Sequence, residues 1–193
     1  MCKLTQSDRN KLGNVVVYIA THIDHLSKTK LLKLLYFMEE SSVRRFHTPF
    51  LGLPYEVWQA GPVVKDVFID LSETPLLLDG FIRKRVQGDA TYIEAARDFC
   101  DDEFSDNDLI IMQEVLKKYG RKSAKELVEL THREGTLWHK VAASHNLLPL
   151  FEQKQMNNSD FQIDFADELT PTGQAFYREQ MEFLQASRAY AKE

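Results

Sequence analysis

The chain has 193 residues, enough for one well-buried domain and too few for two comfortable ones. Its 44% apolar and 27% charged content is that of a globular protein, and no apolar run approaches the ~20 residues a membrane span needs. A net charge of −5 argues against general nucleic-acid binding, whose non-specific affinity comes from neutralising phosphates.

Met1 to Asp8 lacks the apolar core of a signal peptide, and Cys2 and Cys100 suggest no disulfide framework, so the cytoplasm is the expected compartment. Ser7 is read as the cap of a first helix running to about His25, with Leu12, Val15, Val16, Ile19 and Ile23 on one apolar face. Ser27 caps a second helix reaching about Phe46. Within it, Leu31, Leu32, Leu34, Leu35, Tyr36, Phe37 and Met38 leave hardly any polar side, which places that helix at the centre of the fold. Thr48-Pro49 and Gly52-Leu53-Pro54 make the next segment irregular. Trp58 then precedes Gly61-Pro62, a break expected to open a helix from Pro62 to about Leu71.

Residues 81–86 and 91–93 flank Gly88-Asp89 and predict a β-hairpin. Helix returns from Ser105, with Leu109, Ile110, Met112, Val115 and Leu116 at helical spacing and Gly120 as terminator. Ser123 and Glu126 form a capping box ahead of Leu127, Val128 and Leu130. A further helix spans about Trp138 to Ser144, and Gln153 to Asp160 reads as an exposed loop. Thr170-Pro171 opens a last helix to about Ala189, with Phe176, Met181 and Leu184 expected on its buried side. The fold class is mainly α (α+β): a single compact helical domain over 1–193 with a small inserted β-hairpin. Its core is expected over about 7–150, followed by a C-terminal loop and helix.

Chemistry is sparse. His22 and His25, three apart on a helix, lack the third and fourth ligands of a metal site and read as surface histidines at a helix C-terminus. His132 and His139 surround Glu134 and Trp138, residue types suited to general acid–base work. No nucleophile motif or phosphate-cradling glycine loop accompanies them, and His132 reads as a partly buried histidine bonded to backbone or Glu. No cofactor is expected. The basic runs Arg44-Arg45, Arg83-Lys84-Arg85 and Arg121-Lys122 with Lys125 read as solvated faces. The acidic run from Asp101 to Asp108 reads as linker and helix start, or as a feature that steers a basic protein partner. Trp58 and Trp138 are both expected in the core.

Three segments together, KLLKLLYFMEE (30–40), EVWQAGPVVKDVF (56–68) and ELTHREGTLWHKV (129–141), resemble the signatures of the Panacea domain family, also described as SocA-like or phage-associated GepA-like. Its Lys-Leu-x-Lys-Leu-Leu-Tyr helix corresponds to Lys30, Lys33 and Tyr36. Its Trp-x-x-Gly-Pro-Val turn corresponds to Trp58, Gly61, Pro62 and Val63, and its Thr/Ser-His segment, which ends in Trp, corresponds to Thr131-His132 with Trp138. Departures from the pattern are Val57, Lys65, Phe68 and Leu137, of which Phe68 matters if a tyrosine hydroxyl has a role there.

The resemblance implies an antitoxin of a toxin–antitoxin system, a non-enzymatic module that restrains a cognate toxin by direct protein binding. It leaves the toxin, the contact surface and the oligomeric state open. Nucleic acid enters only through autoregulation, and no membrane association is implied. The rival readings are an enzyme or small-molecule sensor with a pocket around Tyr36, Trp58, His132 and Trp138, and a protease adaptor or DNA-binding regulator.

Overall fold

The structure, a computed structural model, describes residues 4–88 and 90–190. Cys2 and Asp89, both named above, lie outside the described residues. The described residues form eight α-helices and two antiparallel two-stranded sheets, a mainly α fold. None of the helices is long and apolar enough to cross a membrane.

Helix α1 (Gln6–His22) is capped by Thr5 rather than Ser7. Thr5 and Asp8 satisfy each other's amides in a capping box, while Ser7 turns its hydroxyl to Glu103. The helix stops at His22, and His25 adopts a left-handed conformation beyond it, so the two histidines do not share a helical face. Among the described residues no group of His, Cys, Asp and Glu is placed to hold a metal.

Helix α2 (Lys28–Phe46) starts at Ser27, as the sequence predicts, and every residue from 31 to 40 is buried. An all-apolar girth makes this helix the axis of the fold. Three charged residues are carried inside with it: Lys33, Glu39 and Glu40. Buried charges require partners, and each has one. Glu40 accepts from the Tyr36 hydroxyl at 2.9 Å and lies 3.4 Å from Arg44. Glu39 accepts the amides of Phe50, Leu51 and Gly52 at 2.9–3.2 Å, holding the irregular segment after α2. Lys33 serves the next turn of chain.

That turn overturns one expectation. Gly61-Pro62 does not open a helix; β1 (Glu56–Trp58) and β2 (Gly61–Val63) form a hairpin, and α3 (Lys65–Ser72) begins only at Lys65. Proline is tolerated because Pro62 faces Val57. The Val57 amide points away to the Phe161 oxygen at 2.9 Å, and the Val57 oxygen accepts the Ser159 hydroxyl at 2.6 Å. The missing proline N–H therefore costs the ladder nothing. The expected exposed loop at 153–160 is present, with mostly exposed side chains. Its Asn157 oxygen takes the Gln59 amide, and just beyond it the Phe161 oxygen takes the Val57 amide and the Ile163 amide bonds the Tyr55 oxygen.

The predicted hairpin is present as β3 (Ile82–Gln87) and β4 (Ala90–Ala95), fixed to the body where the Ile93 amide bonds the Leu26 oxygen at 2.8 Å. Helix α4 (Asp106–Tyr119) and α5 (Ala124–His132) both begin with capping boxes, from Ser105 with Asp108 and Ser123 with Glu126. On α4 the buried residues include Ile111, which the expected face omits, alongside Met112 and Val115. Helix α6 (Leu137–Ser144) and a short α7 (Leu147–Glu152) follow, then a single 3-10 turn at Phe165–Glu168.

The last helix, α8 (Pro171–Tyr190), buries Gly173 and Tyr177, with Met181 and Leu184 half-buried. Phe176 is not on the buried side: it is 44% exposed. Its apolar character misled the reading because on a 100° wheel it stands apart from Tyr177 and Met181, the residues that meet the body.

Candidate functional site

The signature segments meet at the 58–62 turn. Three of its main-chain oxygens, two of them without a hairpin donor, each receive a donor from a different helix. From α6, Trp138 donates its indole N–H to the Trp58 oxygen at 2.9 Å. From α5, His132 Nε2 lies 2.9 Å from the Gln59 oxygen. From α2, Lys33 Nζ donates to the Pro62 oxygen at 2.7 Å. An unpaired buried carbonyl costs free energy comparable to a lost hydrogen bond, so the Gln59 and Pro62 oxygens need these donors, and Trp138 adds a second one to the Trp58 oxygen.

Local sequence explains how each donor arrives. Thr136 caps α6 through the His139 amide and also bonds the Thr131 oxygen at 2.7 Å, fixing the bend between α5 and α6. That bend stacks His132 against Trp138 with ring centroids 3.8 Å apart, so both rings face the hairpin side by side. His132 Nδ1 is 2.6 Å from the Val128 oxygen. Carbonyl oxygens only accept, so the ring serves both contacts at once when both nitrogens carry protons. Neither contact involves Glu134, which is exposed.

Gly61 completes the joint. Its φ of +90° lies where glycine is favoured, and a Cβ there would sit 2.6 Å from Thr131 Oγ1 and 3.0 Å from Lys33 Cε. Lys33 is thus packed beneath the turn at 1% exposure, and burial lowers its ammonium pKa to about 7. Gln59 returns the grip, donating its side-chain amide to the Phe151 oxygen of α7 at 2.6 Å.

Other signature residues lie outside this joint. Lys30 donates to the Gly120 oxygen at 2.7 Å, tying α2 to the end of α4. Tyr36 packs against Tyr55 and Phe165 at 5.6 and 5.7 Å, and neighbouring charge and burial push its hydroxyl pKa well up. Val63 is buried on β2. Trp138 is core, as expected, but Trp58 is not. It is half-buried, with its ring edge-on to Phe68 at 4.9 Å and its N–H on Glu56 at 2.9 Å. Its main-chain oxygen, rather than its indole, belongs to the joint. Phe68 packs on the Trp58 indole outside the joint, a contact that requires no hydroxyl.

Tyr36, Trp58, His132 and Trp138 line none of three cavities found among the described residues, one of which, about 870 Å³, runs along α8 beside Leu53, Phe165 and Tyr177. Gln59 and Glu39 escaped the sequence reading. For Glu39 a signal existed, a carboxylate inside a helix otherwise too apolar to reach water. For Gln59 there was none, since polar residues in turns are ordinary.

A helix with a buried lysine, a Gly-Pro hairpin and a His–Trp pair joined at one turn define a small helical domain built around that joint. The chain belongs to the family described as antitoxin SocA-like, Panacea domain, whose model matches residues 31–139. No curated protein and no solved structure matches the chain.

Proposed function

We propose that this protein is an antitoxin-type protein-binding module of a toxin–antitoxin system, acting in the cytoplasm by direct binding to a toxin. The observation that carries the reading is how the signature side chains are used. Lys33, His132 and Trp138 are the groups with the most chemical potential, and each is committed to a main-chain oxygen of the 58–62 turn. Groups so committed and so packed position a scaffold; they do not attack or protonate a substrate. In this reading the 193 residues work as one unit, with the signature residues structural and the partner meeting another surface. The net charge of −5 suits a basic partner by speeding encounter.

Co-expression with the neighbouring gene tests the proposal. The expected result is that the neighbour arrests growth alone and not when this protein is present, and that the two co-purify. A neighbour that is harmless alone, or equally toxic with this protein present, overturns it.

A further inference from the structure

Helix α8 carries three of the most exposed large apolar side chains in the molecule: Phe176 at 44%, Phe183 at 75% and Tyr190 at 78%. They stand seven residues apart, so they fall within about 40° of one another on the helix and make a straight row about 21 Å long at 1.5 Å per residue. The row lies outside the family match at 31–139. Phe183 also lines a cavity of about 190 Å³, shared with Pro49, Phe50 and Leu184 and with Asp8, Lys11 and Arg188, so the row borders a recess of mixed lining.

We propose that the Phe176–Phe183–Tyr190 row is a docking seam for an amphipathic helix of a protein partner. That helix would carry apolar residues at heptad spacing and lysine or arginine along its flanks. This rests on the protein-binding reading above and supplies its surface.

Two observations select the occupant. Seven-residue spacing on a straight helix matches another helix lying alongside. Charge sets its character: both basic residues of α8 are engaged within the chain, Arg188 with Asp8 at 3.0 Å and Arg178 with Asp164 at 3.9 Å. Glu179, within about 60° of the row on the helix, and Glu182, about a quarter turn further round, have no ion-pair partner among the described residues. The seam is thus aromatic with an unneutralised acidic rim. A second copy of the chain fits poorly, because it would bring the same acids against each other.

The test uses the full chain and a fluorescein-labelled 21-residue peptide with leucine at heptad a and d positions and lysine at e and g. The expected result is saturable binding that weakens at least tenfold in Phe183→Ser and at least tenfold when the lysines are replaced by glutamate. Phe183 is largely exposed, so the variant is expected to keep the wild-type unfolding midpoint; Phe176→Ser provides a second readout. Equal binding by wild type and both variants overturns the proposal, as does absence of saturable binding or indifference to peptide charge. Sedimentation showing a dimer that Phe183→Ser dissociates would assign the seam to a second copy and overturns it too. Failure of the parent reading looks different: the peptide binds as expected, while the neighbouring gene product is neither toxic nor neutralised.

Discussion

Trp138 donates its indole N–H to the main-chain oxygen of Trp58 across 80 positions of sequence, at 2.9 Å. The family's two tryptophans are therefore coupled through one ring and one carbonyl rather than through stacked rings. Trp138→Phe keeps the ring and removes the donor. The expected loss is about 0.5–1.5 kcal/mol, the net worth of one hydrogen bond, because the Trp58 oxygen keeps the Gly61 amide of the hairpin. Urea unfolding measures it, and an unchanged midpoint would show that water takes the place of the indole.

Gly61→Ala tests the same joint from the backbone side. The substitution combines a left-handed φ with a Cβ 2.6 Å from Thr131 Oγ1. Strain and overpacking together are expected to cost about 2–4 kcal/mol. In the double variant Gly61→Ala/Thr131→Ser the Oγ contact remains and little recovers, whereas Gly61→Ala/Thr131→Ala recovers the steric share. Equal stability of the two doubles would show that strain at φ alone sets the cost.

Lys33 predicts a pH dependence with a definite sign. Burial lowers its folded pKa to about 7 from the ordinary 10.5. Between those values the unfolded chain holds a proton that the folded chain lacks, so stability rises with pH through that window. Below about pH 7 both states are protonated and the slope from this group ends. Lys33→Met removes the titration and keeps most of the packing volume. Urea titrations from pH 6 to 10 are expected to show wild type gaining on Lys33→Met as pH rises. Parallel profiles would mean that the amine titrates as it does in water.

Glu39 holds the amides of residues 50–52 with both carboxylate oxygens at full burial. Burial pushes its carboxyl pKa up, and those backbone donors pull against that rise. Glu39→Gln places an NH2 group where a backbone N–H already points. The expected loss is at least about 3 kcal/mol, because a charged acceptor is replaced by a donor facing donors. Thermal unfolding of the variant measures it, and a shift of less than a few degrees would indicate that the segment repacks around the amide.

Legibility of the sequence followed the range of the forces involved. Ser27, Ser105 and Ser123 announced their helices because a cap and its amide lie three residues apart. The 82–95 hairpin announced itself through β-branched runs and a glycine turn. The β1–β2 hairpin did not, since Gly-Pro reads as a helix opening unless the 157–161 segment is known to take the Val57 amide. The joint at 58–62 was legible as a set of residues but not as a mechanism. Its bonds run from side chains to main-chain oxygens, and a carbonyl has no letter in the sequence. Phe176 illustrates the opposite failure: an apolar residue on a helix implies a buried face, and the letter alone does not say whether that face meets the body.

Arg188 gives the last prediction, on how α8 is held. Its guanidinium binds both Asp8 oxygens at 3.0 and 3.1 Å and the oxygens of Leu51 and Gly52 at 2.8 Å. It therefore grips the carbonyl side of the segment whose amides Glu39 holds. Burial pushes the Asp8 carboxyl pKa up, but Arg188 and the Thr5 donors outweigh it and leave that pKa below its ordinary 3.8. The pair thus contributes stability above that pKa, which is lost as pH falls through the lowered folded value. Arg188→Met removes the clamp from the distal half of α8, while Gly173 and Tyr177 still bury the proximal half. Native-state hydrogen exchange is expected to speed up at 181–190 and stay slow at 171–178 and in α2. The variant should also lose the acid sensitivity that Asp8 confers. Unchanged exchange at 181–190 would show that Met181 and Leu184 hold the helix without the arginine, and the seam on its outer face would then owe its rigidity to apolar contact alone.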